Sequence, residues 1–374
     1  VTAKDRAGLE TLDRRYMAAA LRLSRRNAGR TSTNPSVGTI IVRDDGAGPM
    51  IVGTGVTAVG GRPHAETEAL AEAGDLARGA TAYVTLEPCA HHGSTPPCAN
   101  ALVKAGVTRV VGAASDPDPR VSGKGYAILR AAGIEVVEKV LVSEAAGQMA
   151  GYMSRSLRKR PEVILKLALS SDGMIGERGA GQVSITGEIA RREVHLLRAE
   201  ADAVLVGIGT VIEDNPALTV RLPGLENRSP ARIVLDRQIR LPENSRLIAG
   251  IDRVPVYVAA CAEADALRRA TLERLGVRFI GTETHNGQVA LPELLEDLAA
   301  LGMASVLIEG GAKVAKGFLE DGLVDRIVLF RGPNEIGKGG IASPLDENSI
   351  PAGFVKLREM SFGDDVCAEW ARDI

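Results

Sequence analysis

The sequence predicts an α/β protein of two domains, on three observations. Short β-branched runs alternate along the chain with helical stretches rich in Ala, Leu and Arg, glycine is plentiful (42 residues) and aromatics are scarce (3%). The length of 374 residues exceeds what one core usually organises, at about 150 residues per domain. The alternation is interrupted once, by the polar stretch Gly147 to Arg160, which ends in Arg155-Ser156-Leu157-Arg158-Lys159-Arg160-Pro161. The boundary is placed there, giving domains 1–147 and 148–374.

Leu12, Tyr16, Ala20 and Leu23 recur at helical spacing and define one apolar face of a first helix that ends near Asn27-Ala28-Gly29. Val37 to Arg43 and Met50 to Gly53 flank Asp44-Asp45-Gly46-Ala47-Gly48-Pro49, whose Asp-Gly and Gly-Pro pairs are turn signals, so the two runs read as a hairpin. Three alternations follow: helix 65–73, strand 81–86, helix 97–104, strand 109–113, helix 125–132 and strand 134–137. Gly74, Gly106 and Gly133 stand where each helix must stop. The expectation is a five-stranded mixed sheet with helices on both faces. In the second half the reading is strand 163–169, helix 188–198, strands 203–208, 232–236 and 254–259, helices 262–275 and 291–301, strand 305–308, helix 313–320, strand 326–330, and about two further C-terminal strands. No fixed-period repeat or low-complexity tract occurs, so solenoids are excluded.

Forty-five Lys and Arg against 47 Asp and Glu leave a net charge of −2, which supplies no overall drive toward nucleic acid or an anionic membrane. With 45% hydrophobic and 25% charged residues and no apolar run near the ~18 residues of a spanning helix, a globular, non-membrane protein is expected. Four cysteines are too few for a disulfide framework, and Val1-Thr2-Ala3-Lys4-Asp5-Arg6 lacks the apolar core of a signal peptide. A cytoplasmic location is expected.

The sharpest chemical signal is His64-Ala65-Glu66, with Pro88-Cys89 downstream and Pro97-Cys98 beyond it. One imidazole and two thiolates are three zinc ligands, and three protein ligands leave tetrahedral zinc an open position, as catalytic sites require. His91 and His92 are the candidates for a fourth ligand that would close the site. Cys98 falls in the first turn of a predicted helix, where backbone N–H groups favour its thiolate. Glu66, two residues from His64, is placed to shuttle protons to and from a zinc-activated water without binding the metal. The H-x-E element with Pro-Cys pairs is the pattern of zinc nucleobase deaminases, here with a widened second element, Cys89-Ala90-His91-His92-Gly93-Ser94-Thr95-Pro96-Pro97-Cys98. In the second half, the turn Glu309-Gly310-Gly311 between a strand and a helix suits a phosphate, as does Gly207-Ile208-Gly209-Thr210 with Asp214-Asn215-Pro216.

Thr85-Leu86-Glu87-Pro88-Cys89, His91-His92-Gly93, Thr95-Pro96-Pro97-Cys98, Asn34-Pro35-Ser36-Val37-Gly38 and Asp116-Pro117-Asp118-Pro119 together resemble the bifunctional riboflavin-biosynthesis deaminase/reductase family. The resemblance continues through Lys166, Ser171-Asp172-Gly173, Ile185-Thr186, Leu196-Leu197-Arg198-Ala199, Gly209-Thr210-Val211, Asp214 to Arg221 and Glu309-Gly310-Gly311, and so spans nearly the whole chain. It implies a cytidine-deaminase-like first domain and a dihydrofolate-reductase-like second domain. By the same resemblance His64, Cys89 and Cys98 hold one Zn2+, Glu66 is the proton donor, and Asn34 with the His91/His92 loop meets the pyrimidine. Ala168, Ser184, Thr210, Asp214 and the run Gly311, Ala312, Lys313, Val314, Ala315, Lys316, Gly317 would contact NADPH. Lys166, Gln182, Arg198, Leu218, Arg221 and Glu309 would face a phosphoribosylamino substrate, where arginines suit the phosphate. Arg237, after the strand 232–236, is a candidate for reading the 2′-phosphate. The implied reactions are hydrolytic deamination of 2,5-diamino-6-(5-phosphoribosylamino)pyrimidin-4-one and NADPH reduction of its ribosyl group, by a homo-oligomer (dimer or tetramer). Ser184 stands where the family often has tryptophan, and Ser94 where many members have a basic residue. His195 and His285 read as ordinary histidines, Cys261 and Cys367 as buried thiols. Two other readings fit parts of the sequence: a nucleoside or tRNA deaminase with a non-catalytic binding domain, and a zinc-stabilised non-enzymatic protein.

Overall fold

Tyr16, Met17, Ala20 and Leu21 lie on one side of α1 (Ala3–Ser24), and that side is buried. In the computed structural model, which describes residues 3–91, 96–285 and 287–372, this face packs on β1 (Gly38–Arg43). β2 (Met50–Val56) pairs antiparallel with β1, as the Asp-Gly turn predicts, with a bulge between Ile41 and Val42. α2 (Ala65–Ala73), β3 (Thr81–Leu86), α3 (Cys98–Ala105), β4 (Arg109–Ala114), α4 (Lys124–Ala131) and β5 (Glu135–Val137) follow, and the five strands take the order β2-β1-β3-β4-β5. β1 runs antiparallel to β2 and β3, while β3, β4 and β5 are parallel, so the sheet is mixed as expected.

Two glycines show why helices fit on both faces. A Cβ on Gly38 would stand 2.1 Å from the Ala20 carbonyl oxygen of α1. A Cβ on Gly55, which pairs with the neighbouring Thr39 and therefore faces the other way, would stand 2.0 Å from the Ala65 carbonyl oxygen of α2. Each helix approaches bare backbone, one per face.

The stretch expected as a polar boundary is helical instead. α5 (Val142–Gln148) and α6 (Ala150–Arg158) follow β5, and Met149, Tyr152 and Met153 pack against the first core. The chain divides into two compact units after Arg158, so the break expected after Gly147 falls inside this helical tail. Its charged residues masked three apolar ones that share a side.

The second unit contains β6 (Glu162–Leu169), β7 (Met174–Glu177), α7 (Glu188–Glu200), β8 (Ala203–Gly207), α8 (Ile208–Asp214), β9 (Ala231–Leu235), α9 (Arg246–Ala249), β10 (Val256–Cys261), α10 (Ala266–Arg274) and β11 (Arg278–Thr282). The pair β12 (Thr284–His285) and β13 (Gln288–Val289) leads to α11 (Leu291–Ala300), β14 (Ser305–Glu309), α12 (Ala312–Glu320), β15 (Arg326–Arg331), β16 (Gly340–Ala342), β17 (Phe354–Phe362) and β18 (Asp365–Arg372). Nine strands form one sheet in the order β11-β10-β9-β8-β14-β6-β15-β18-β17, parallel up to β15 and antiparallel beyond. The runs of the parallel strands are apolar because both sheet faces are covered. α8 and β11 were not expected: α8 starts directly at the end of β8, within the stretch Gly207-Ile208-Gly209-Thr210 whose glycines read as a turn, and β11 is a short run with exposed Arg278 and Gly281. Cys261 and Cys367 are buried thiols, as expected.

Candidate active sites

Three donors converge in the first unit. His64 is the residue before α2, in extended conformation, Cys98 is the first residue of α3, and Cys89 lies on the arm that leaves β3. His64 Nδ1 lies 3.7 Å from Cys89 Sγ and 3.4 Å from Cys98 Sγ. Zinc bound tetrahedrally at ordinary Zn–S and Zn–N lengths would hold nitrogen and sulfur about 3.6 Å apart. The donor types and their spacing therefore fit that ion.

Acid–base character follows from packing. Hydrogen bonding with Cys98, aided by His64, brings Cys89 down to about 4 despite its burial. The Cys98 N–H, free at the start of α3, donates to Cys89 Sγ at 3.2 Å. The same partnership and burial raise Cys98. The N–H that opens α3 is thus aimed at the Cys89 sulfur rather than at that of Cys98. Hydrogen bonding to Cys89 raises His64. Glu66, in the first turn of α2, is 4% exposed, and burial beside the Cys89 charge lifts its carboxyl to about 7. A carboxyl poised there accepts and returns a proton near neutrality.

The walls come from other segments. Asn34 Nδ2 donates to the Gly61 carbonyl at 2.9 Å, fixing the loop before β1 against the turn that precedes His64. His91 lies near Asp118 and helps to lower that carboxyl, although the Arg120 hydrogen bond does more. His92 and Ser94 lie outside the described residues. Two buried acids had no role assigned from sequence. Asp116 accepts from the Asp118 N–H and the Tyr152 hydroxyl, and Glu87 accepts from the main-chain N–H groups of Gly123, Gly125 and Tyr126. Both lie in stretches that carry the family resemblance, Thr85 to Cys89 and Asp116 to Pro119.

In the second unit β14 and β6 are adjacent and in register, so Glu309 and Lys166 are paired neighbours. Arg198, from α7, donates through Nε and Nη2 to the Glu309 carboxylate at 2.5 and 2.8 Å, and through Nη1 to the Thr219 carbonyl at 3.1 Å. Burial alone would raise Glu309, but Arg198 and Lys166 hold it below the ordinary range. Burial lowers Lys166, with Glu309 opposing, and its ammonium sits 5.7 Å above the Phe330 ring. Arg221 is exposed, and burial of part of it with the like charges of Arg198 and Arg246 lowers its pKa, a setting that favours an anion.

The two glycine-bearing turns do meet. Gly310 and Gly311 both have positive φ, and a Cβ on Gly311 would stand 3.3 Å from Thr210 Oγ1. Asp214 ends α8, its carboxyl raised by burial. Gln182 and Ser184 are exposed on the segment whose Gly181 lies by the Glu213 carbonyl, and Ala168 pairs with Phe330 on β15. Of the run 311–317, Gly311, Ala312 and Lys313 form the helix start, whereas Ala315 is in the core and Lys316 faces Glu320. Leu218 has positive φ and a core side chain, so it offers a ligand main chain alone.

A His-Cys-Cys cluster that fits zinc, with a buried glutamate, in one unit, and facing glycine turns beside a cation–carboxylate cluster in the other, suit a bifunctional deaminase and reductase. Residues 10–114 match the cytidine and deoxycytidylate deaminase zinc-binding region, and residues 161–367 match the RibD C-terminal domain. The riboflavin biosynthesis protein RibD of Aquifex aeolicus is 38% identical over 360 residues, covering 96% of this chain and 98% of the relative. RibD of Escherichia coli is 38% identical, covering 95% and 98%. Among solved structures, Acinetobacter baumannii RibD superposes with a TM-score of 0.84 at 36% identity, covering 97% of this chain and 99% of that one. The Thermotoga maritima diaminohydroxyphosphoribosylaminopyrimidine deaminase/5-amino-6-(5-phosphoribosylamino)uracil reductase gives 0.83 at 33%, with the same coverage. The chain belongs to the RibD family of bifunctional riboflavin-biosynthesis enzymes, with a zinc-dependent deaminase domain and an NADPH-dependent reductase domain. The reductase-domain match weighs against the rival with a merely binding second domain. No helix among the described residues is long and apolar enough to cross a membrane.

Proposed function

We propose that the first unit deaminates 2,5-diamino-6-(5-phosphoribosylamino)pyrimidin-4-one at ring position 2 and that the second reduces the ribosyl group of the product to ribityl. The observation that carries this reading is the 3.4 and 3.7 Å spacing of two thiols about His64 Nδ1, with the buried Glu66 carboxyl alongside. His64, Cys89 and Cys98 would hold zinc, which supplies the Lewis acidity that makes water a nucleophile near neutral pH. Glu66 takes the proton that the water gives up and returns it to the departing amine, which leaves as ammonia. Asn34 and the loop containing His91 orient the pyrimidine.

In the second unit NADPH, held by Ala168, Ser184, Thr210, Asp214 and the turn that opens α12, would supply hydride to the ribosyl C1 in its open-chain imine form. Lys166, Gln182, Arg198, Leu218, Arg221 and Glu309 would line the substrate side. Arg198 already has its bidentate edge on Glu309, so it orients that carboxylate, and the exposed Arg221 is the guanidinium available to the substrate phosphate. We place the enzyme in the cytoplasm as a homo-oligomer.

The test is one reaction containing zinc-loaded protein, the diaminopyrimidine phosphoriboside and NADPH, following ammonia and NADPH absorbance together. Ammonia release followed by NADPH loss is expected. Glu66→Ala should lower ammonia release by about 10²–10⁴-fold and leave reduction of added deaminated substrate intact. Loss of both activities in that variant would refute two independent sites.

A further inference from the structure

The arm that delivers Cys89 is gripped from its N-terminal side by a carboxylate. Glu87 is 2% exposed, and its N–H donates to the Ala114 carbonyl at 2.9 Å, carrying the β3–β4 pairing one residue past Leu86. Its Oε2 accepts the Gly123 N–H at 3.0 Å, and its Oε1 accepts the Gly125 N–H at 3.0 Å and the Tyr126 N–H at 3.5 Å. These donors belong to the start of α4, whose own N-cap residue, Gly123, has no side chain to satisfy them. A Cβ on Gly125 would fall 2.0 Å from the Pro88 carbonyl oxygen, so the arm lies directly on the helix start. Beyond Cys89 the grip comes from α3, through the Ala99 N–H to the Cys89 carbonyl and the Cys98 N–H to Cys89 Sγ, each at 3.2 Å.

We propose that Glu87 is a positioning residue for the deaminase centre, fixing the Glu87-Pro88-Cys89 arm to α4 and so setting where the Cys89 sulfur lies. The proposal rests on the reading of His64, Cys89 and Cys98 as zinc ligands. A carboxylate suits the task because it has two oxygens and no protons to turn against three N–H donors. An amide in its place turns an NH2 group toward one of them.

The test measures zinc release from the full-length protein to a chromogenic chelator, with NADPH oxidation on deaminated substrate as a check on the second unit. Glu87→Ala should release zinc about ten-fold faster or more, and Glu87→Gln should fall between it and the wild type. Leu129→Ala, in the buried face of α4, is compared as a variant that loosens the same helix without touching the arm. At equal loss of thermal midpoint it should retain zinc like the wild type. Should Glu87→Ala fail to fold, Glu87→Gln decides. Wild-type zinc release in both Glu87 variants, or equal release in Leu129→Ala, would overturn the proposal while leaving the ligand assignment standing. A wild-type protein that takes up no zinc would overturn the ligand assignment and the proposal together.

Discussion

His195, half-buried on α7, has its pKa lowered to about 4 by burial and by the like charges of Arg198 and Arg221. Its unfolded value is about 6.5. Between those limits the unfolded chain binds a proton that the folded one refuses, so stability rises with pH across the window and is lost on acidification. The thermal midpoint of the second unit should therefore fall from pH 7 to pH 4.5, and less steeply in His195→Asn. Glu309 belongs to the other class. Its depressed pKa contributes stability above the ordinary glutamate range that is lost as pH falls through the folded value. Arg198→Met would remove the bidentate partner of that buried carboxylate and leave Lys166 beside it, at a cost of about 1.5–3 kcal/mol, readable by urea unfolding. At this scale the family resemblance singled out both residues as facing the substrate but not their pairing, which joins positions 111 residues apart. Spacing likewise shows that Cys98 begins a helix, and not that its N–H is received by the Cys89 sulfur.

Elements position the centre through close backbone contact. α2 begins just after His64 and holds Glu66, and it rests on Gly53 and Gly55 of β2. Gly55→Ala would drive a methyl group into the Ala65 carbonyl and displace the helix. We expect about 1–3 kcal/mol of destabilisation and, since a shift of ~1 Å can cost about 10²-fold in rate, a loss of ammonia release larger than the change in fold alone implies. Both are read by denaturation and assay on the same sample. α1 is tied to the sheet by Asp13, which receives two hydrogen bonds from Arg109 at 2.8 Å and one from Tyr83 at 3.0 Å. Asp13→Ala should cost about 3–5 kcal/mol by leaving the Arg109 charge buried without that partner, measured by urea unfolding of the first unit. The hairpin β1–β2 and the helix of residues 65–73 were legible from turn residues and periodicity. α6 was not, because its Tyr152 and Met153 became an apolar side only once the first core was there to receive them.

For the whole molecule, each unit buries a core of its own, and the His64, Cys89 and Cys98 cluster, the one such group among the described residues, lies in the first. Stripping zinc with a chelator should abolish ammonia release and lower the unfolding midpoint of the first unit, while NADPH consumption on deaminated substrate continues. Loss of both activities on chelation would contradict that division. By itself the sequence determined the α/β alternation, the mixed first sheet, the residue types of the metal centre and the presence of two glycine turns. Those features rest on short-range physics: side-chain periodicity, turn chemistry and ligand softness act within a few residues. Tertiary structure alone decided how closely His64 approaches the two thiols, that Arg198 closes on Glu309, that Leu218 turns into the core, and that Glu87 grips α4. Strand order and register bring such pairs together, and local pattern does not encode them.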